Sequence, residues 1–304
     1  MKYRIDPAVS RAVSRCIFLT GSTRSGTTIM GQLLLSLDGV EFFHEPPFIY
    51  LLIALIGDVE EETWKIMFES YLFEDNHMLA IPGRRLNFNR GDDSSVFRGK
   101  TREDIEARTA KTMRRVEILP RALNGRFGFK MPEMLPYLPK LRAYYPDLVT
   151  IVMLRCPKSV IASILAKGWY SDEALSDETG ERLFRKGCTL RIPYWLPDGI
   201  VDRWTEMSEL ERCCFCYSYQ YRNLVGRNDC IVVDYDEFVT APHRKFAALA
   251  EILDCEFGAL TKDLLDGTAE PRRNREISFD QARPEFTEPV FDVYRECRRL
   301  VAEL

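Results

Sequence analysis

Histidine is scarce in this chain, with 3 in 304 residues. His44, His77 and His243 stand far apart, in no spacing that would build a histidine metal centre. An excess of positive charge is missing as well: Lys+Arg 42 against Asp+Glu 46 leaves a net charge of -4. Such a chain carries no global field to hold nucleic acid, so any anion site must be local. Long apolar runs are absent. The longest, Phe48 to Gly57, is about half of what a bilayer span needs and reads as a buried helix. The opening stretch, MKYRIDPAVSRAVSRCIFLT, lacks the uninterrupted apolar core and small-residue cleavage site of a secretory leader. No disulfide framework is spelled by the 9 cysteines, an odd number scattered through a large chain, and a reducing cytoplasm is the expected setting. The G-x-S-x-G elbow of serine hydrolases does not occur.

What is present reads as α/β. Hydrophobic residues at 46% and charged ones at 29% are the balance of a globular chain long enough to bury a sizeable core. The expected organisation is a single domain over 1–304, with insertions around 46–125 and 168–203. Cys16 to Thr20 is a short apolar run that reads as a strand. A glycine loop follows, and then a helix from Ser25 to Leu37 with Ile29, Met30, Leu33, Leu34 and Leu37 on one face. A second strand–helix unit runs from Leu148–Leu154 through Pro157 to Leu165. Further strands are expected at Arg126–Lys130 and Cys230–Asp234, and helices at Trp204–Leu224, Phe238–Leu253 and Val290–Leu304. Apolar strands alternating with helices predict a central parallel sheet flanked by helices. The polar stretch 81–106 and the aromatic stretch 168–202 read as loops. Cys213 and Cys216 form a C-x-x-C inside a helical run with no second ligand pair, which is helix packing rather than a zinc site.

The strongest local signal is Gly21-Ser-Thr23-Arg24-Ser25-Gly26-Thr27-Thr28. Two glycines five apart, between a strand and a helix, let successive backbone N–H groups point at an anion, and the helix dipole adds positive potential there. Thr27 and Thr28 supply hydroxyl donors. A nucleoside-triphosphate loop would read G-x-x-x-x-G-K-[S/T], but Thr27 stands where that lysine belongs. A cation sits inside the loop instead, as Arg24, and the strand ending at Leu154 is followed by Arg155 where a magnesium-binding carboxylate is usual. The loop looks built for an anion without magnesium.

This loop resembles the 5′-phosphosulfate loop of the sulfotransferases that use 3′-phosphoadenosine 5′-phosphosulfate (PAPS). Arg155 and Ser163, eight residues apart on a strand end and the next helix, resemble that family's 3′-phosphate site. Glu45, 21 residues after Arg24 in Phe43-His44-Glu45-Pro46, is similarly placed to the glutamate base of tyrosylprotein sulfotransferases and of bacterial carbohydrate sulfotransferases. A carboxylate or imidazole must take the acceptor proton, so His44 is the rival base; neighbours on an extended segment point oppositely, and Glu45 is favoured. Lys130 in Lys130-Met131-Pro132 is similar to the Lys-x-Pro of Golgi and bacterial members, and Pro132 occupies the position of the histidine in cytosolic ones. Tyr235 resembles a tyrosine near the cofactor, and Lys167 is a further candidate for the 3′-phosphate. The triplet Arg185-Lys186-Gly187 spells a cofactor motif of the cytosolic enzymes but in a different context. Arg272, Arg273 and Arg275 either cover the cofactor or are solvated.

The resemblance implies a P-loop-type sulfotransferase fold. It implies sulfuryl transfer from PAPS to an acceptor hydroxyl of a carbohydrate or small hydroxylated metabolite, releasing adenosine 3′,5′-bisphosphate (PAP), without a metal. Cofactor-binding residues would be Thr23, Arg24, Ser25, Gly26, Thr27, Thr28, Arg155, Ser163, Lys167 and Tyr235; catalytic ones Glu45, Arg24, Lys130 and His44. The alternatives are a divergent P-loop kinase or NTPase, and a nucleotide-binding protein without turnover. Phe48–Leu55 and the two loop stretches are expected to form the acceptor site.

Overall fold

The computed structural model describes residues 3–177, 190–268 and 277–304. At its centre β1 (Ile17–Gly21), β2 (Val40–His44), β3 (Arg126–Lys130), β4 (Val149–Leu154) and β5 (Ile231–Asp234) form one sheet. Its order is β2-β3-β1-β4-β5, and every neighbouring pair is parallel. Successive side chains of a strand point to opposite faces, and here both faces are covered. Phe18, Val152 and Leu154 join one apolar layer, with Trp64, Phe68 and Ile161. Ile17, Leu19, Ile151 and Met153 join the other, with Leu33, Leu34 and Phe246.

The helices that position the strand ends are α1 (Thr27–Ser36), α2 (Pro47–Ala54), α3 (Pro157–Leu165), α4 (Glu209–Arg222), α5 (Pro242–Ile252) and α6 (Pro284–Arg298). From the central β1 the chain passes to β2 and β3 on one side and later to β4 and β5 on the other. A crevice therefore opens beside the carboxyl end of β1, the point where parallel α/β sheets bind ligands.

Several boundaries differ from the sequence expectation, each for a local reason. The helix expected over 204–224 begins at Glu209, because Ser208 and Glu211 form a capping box: the Glu211 amide donates to Ser208 Oγ at 3.3 Å and the Ser208 amide to Glu211 Oε2 at 2.9 Å. Trp204 closes a separate short helix, Val201–Trp204. The helix expected over 238–253 is divided into Tyr235–Phe238 and α5, since Pro242 has no amide hydrogen to continue the earlier one and suits a new first turn. The last helix starts at Pro284 and ends at Arg298, with Pro289 inside it at the cost of one backbone bond. Val301 beyond it pairs with Val232 of β5. The stretch 81–106 is not all loop: Thr101 caps a helix over Arg102–Thr109, its Oγ1 accepting from the Asp104 amide at 3.1 Å.

α2 is only half buried, with Ile49, Leu52 and Ile53 inside and Phe48 and Leu51 outside. Cys213, Cys214 and Cys216 are buried and free, their thiols pushed upward by burial. Among the described residues, no helix is long and apolar enough to cross a membrane.

Candidate active site

The β1–α1 loop is wired into the sheet. Gly26 has φ +97°, and a Cβ there would lie 2.2 Å from Cδ2 of Tyr235, so only glycine lets that ring close over the loop. Ser25 is fully buried and its Oγ donates to the Ser22 carbonyl at 2.6 Å. The Ser22 amide donates to Tyr221 Oη at 3.2 Å, and that hydroxyl donates to the Met153 carbonyl of β4 at 2.6 Å. Thr23, Arg24, Gly26, Thr27 and Thr28 line a cavity of about 1170 Å³. Ser25 does not line it; its side chain braces the loop from behind.

Two cations from other strands, Lys130 and Arg155, meet the loop's own Arg24 here. Lys130 ends β3, beside Leu19 of β1 and His44 of β2 in register. Its ammonium, only 4% exposed, donates to Thr28 Oγ1 at 2.9 Å and pairs with Glu45 Oε1 at 2.8 Å. Arg155 follows β4. One of its terminal nitrogens donates to the Arg24 carbonyl at 3.1 Å, and its guanidinium lies 4.8 Å from the Tyr235 ring centre. Its Nε is 3.6 Å from Asp236 Oδ1, and the Asp236 carboxylate also accepts the Cys156 amide at 2.9 Å. Arg24 Nε donates to Ser163 Oγ of α3 at 2.9 Å. The structure therefore brings together Arg24, Arg155, Ser163 and Tyr235. Lys167 is exposed beyond α3 and does not line the cavity.

Glu45 and His44 go to opposite sides of β2. Glu45 lines the cavity; its amide donates to the Lys130 carbonyl at 2.9 Å, and its Oε2 accepts from Tyr50 Oη at 3.1 Å. His44 packs against Gly31 of α1, where a Cβ would lie 2.7 Å from its Nε2. That nitrogen is buried without a hydrogen-bond partner among the described residues. Burial, and then the neighbouring Lys130 ammonium, push the His44 imidazole down to about 4, so at neutral pH it is uncharged. His44 does not line the cavity.

Backbone strain marks the same place. Among the described residues four non-glycine residues have positive φ: Arg24, Glu45, Glu133 and Asp254. The first three each follow the carboxyl end of β1, β2 or β3, and each lines the cavity. Strain of this kind persists where the surrounding structure enforces it, as at functional sites.

The far wall of the cavity comes from distant segments: Tyr50 and Leu51 of α2, Asp93, and the aromatic stretch through Trp169, Tyr170, Tyr194 and Trp195. All three stretches expected around an acceptor thus reach the cavity. Sequence reasoning missed Tyr50, Glu133, Asp236 and Tyr221. Glu133, 8% exposed, accepts from Tyr170 Oη at 3.2 Å, and its amide donates to the Gly21 carbonyl at 2.8 Å. Nothing local marks these residues except the cluster of Asp236 beside Tyr235. Arg185-Lys186-Gly187 and Arg272, Arg273 and Arg275 lie outside the described residues.

Comparison with known proteins adds a family. The model of the "Sulfotransferase family" matches residues 16–259. No curated protein matches the chain. Among solved structures, it is similar to sulfotransferase STF9 from Mycobacterium avium at 15% identity and TM-score 0.45, covering 96% of this chain and 78% of that one. The sulfotransferase domain of the Synechococcus PCC 7002 olefin synthase gives 15% identity, TM-score 0.42 and coverage of 95% and 89%. Sulfotransferase STF1 from Mycobacterium tuberculosis H37Rv gives 15% identity, TM-score 0.41 and coverage of 94% and 78%.

Proposed function

The chain belongs to the sulfotransferase family, and from that premise we propose that it moves a sulfuryl group from PAPS to an acceptor hydroxyl, releasing PAP. The observation that carries this reading is Lys130, whose ammonium touches Thr28 of the anion loop and Glu45 on the far side, at 2.9 and 2.8 Å. One buried cation thus joins the donor end of the cavity to its acceptor end.

The residues fit such a donor by their chemistry. Hydroxyls of Thr27 and Thr28, the amides opening α1 and two arginines form an anion-binding set, and Thr23 to Thr28 contains no acidic side chain. Bound there, the donor supplies an activated sulfuryl group on a phosphosulfate anhydride. Thr27, Thr28 and the α1 amides bind the 5′-phosphate. Arg155 binds the 3′-phosphate, Ser163, which accepts from Arg24 and does not line the cavity, holds that arginine, and Tyr235 closes over Gly26. Arg24 and Lys130 neutralise charge on the sulfuryl and leaving oxygens, an electrostatic contribution worth several kcal/mol in a buried site. The Glu45 carboxylate takes the acceptor proton as the new S–O bond forms and the S–O bond to phosphate breaks. Tyr50 holds that carboxylate from its other oxygen. The acceptor is a carbohydrate or a small hydroxylated metabolite.

The test is acceptor-dependent release of PAP, with Glu45→Gln as the variant. Turnover should fall by about 10²–10⁴-fold, the usual range for a general base, while PAP binding measured by calorimetry is kept. Unchanged turnover in Glu45→Gln would remove the base assignment. Failure of both wild type and variant to bind PAP would remove the donor.

A further inference from the structure

The acceptor wall does not end at the cavity. Leu51 of α2 lines the cavity and is also 39% exposed, so it sits at the mouth. Phe48 lies three residues earlier on the same helix, 41% exposed, and neighbours Leu51 on the outer surface. Its ring meets Tyr71 edge-on, with centroids 5.2 Å apart. The helix sequence PFIYLLIA contains no charged side chain, and its residues Ile49, Leu52 and Ile53 already fill the core. A surface helix normally turns polar residues outward. Here the outward face is apolar instead, and it runs continuously from the wall beside Glu45 to the surface.

We infer that the acceptor is an alcohol or phenol with an apolar body, whose hydroxyl lies at Glu45 and whose chain or rings run over Leu51 onto Phe48 and Tyr71. The inference rests on the sulfuryl-transfer reading and narrows its acceptor. Continuity of the stripe with the cavity selects this occupant: a contact made with Phe48 and Leu51 alone would not need Leu51 to form part of the reaction chamber. Within the cavity Pro47 and Leu51, apolar residues of the same helix as Tyr50, are part of the lining. A polyhydroxylated sugar chain leaving by this mouth would meet no hydrogen-bonding side chain at Phe48 or Leu51.

The experiment is a ladder of 4-alkylphenols and of 1-alkanols of increasing length, assayed with PAPS by PAP release and product mass. Binding of 4-octylphenol to the PAP-loaded protein is measured calorimetrically alongside. Each methylene that leaves water should raise kcat/KM about fourfold until the stripe is filled, and then the gain should stop. Phe48→Ser should flatten the upper part of the ladder, and Phe48→Trp should retain it. Because Phe48 is exposed, neither change threatens the fold. Turnover with a flat ladder in wild type, or a ladder that Phe48→Ser leaves intact, overturns the inference and leaves sulfuryl transfer standing. Chain-length-dependent binding of alkylphenols without PAP release overturns the reaction and keeps the apolar site. No binding of 4-octylphenol to PAP-loaded protein overturns the inference as well.

Discussion

The two ends of the cavity are built from different kinds of chain. At the anion end, Thr23 to Thr28 forms one short segment between a strand and a helix, and its partners Lys130, Arg155 and Tyr235 stand directly at or after strand ends. At the other end Tyr50 comes from helix α2, while Asp93, Tyr170, Tyr194 and Trp195 come from turns and bends tens of residues away. The anion end solves a fixed problem with backbone geometry, which a parallel sheet delivers wherever a strand stops beside a crossover. The far end is assembled from loop and helix segments that the sheet supports from below. Lys130 and Glu45 are the seam.

Breaking that seam should give the largest effect. Lys130→Ala removes the cation shared by both ends, and turnover should fall by about 10²–10³-fold, with PAP affinity falling too. A fall in one without the other would mean that Lys130 serves a single end. Acid tests the scaffold that both ends share. Burial lowers His44 and His77 to about 4, so between an ordinary value near 6.5 and pH 4 the unfolded chain binds more protons than the folded one. Stability is therefore full above pH 6.5 and lost as pH falls toward 4, by about 3 kcal/mol for each histidine at most. Denaturant unfolding at pH 7 and pH 4.5 reads this, and His44→Asn should shallow the slope. A slope that His44→Asn leaves unchanged would contradict a neutral, buried His44.

Smaller effects should separate the two ends. Arg155→Ala should weaken PAP by about 10–150-fold, the range of a hydrogen bond to a charged group, and leave an adenosine nucleotide without a 3′-phosphate unaffected. Equal losses for both nucleotides would mean that Arg155 acts through its bond to the Arg24 carbonyl rather than on the 3′-phosphate. Tyr50→Phe, at the far end, should lower kcat by about 2–10-fold and leave PAP binding as it was. A change in PAP binding there would erase the distinction between the ends.

The same division decides what could be read from the sequence. The loop from Gly21 to Thr28 was legible as a candidate anion cradle because such a cradle needs only neighbouring residues, and Arg155 and Lys130 were legible as strand-end cations. The fold class was legible from apolar runs alternating with helical stripes, and the five parallel strands with covered faces match it. β2 was not among the strands expected, since Glu41 and His44 interrupt its apolar residues. Tyr221 falls within the helix expected over 204–224, but periodicity says nothing about where a hydroxyl ends, and its bond with the Ser22 amide exists only after α4 packs on the sheet. Tyr50 and Glu133 meet the site through the folded positions of β2 and β3, which no local pattern encodes. Helix boundaries slipped at Ser208 and Pro242 because apolar spacing runs through the caps that interrupt it.

The most direct test of the account is a calorimetric titration with PAP in EDTA, set against ATP with magnesium. Binding of PAP should survive EDTA and be weakened in Arg155→Ala, with a stabilisation of about 2.7 kcal/mol when the ligand reaches a hundred times its dissociation constant. Binding of ATP that depends on magnesium, with none of PAP, would contradict it.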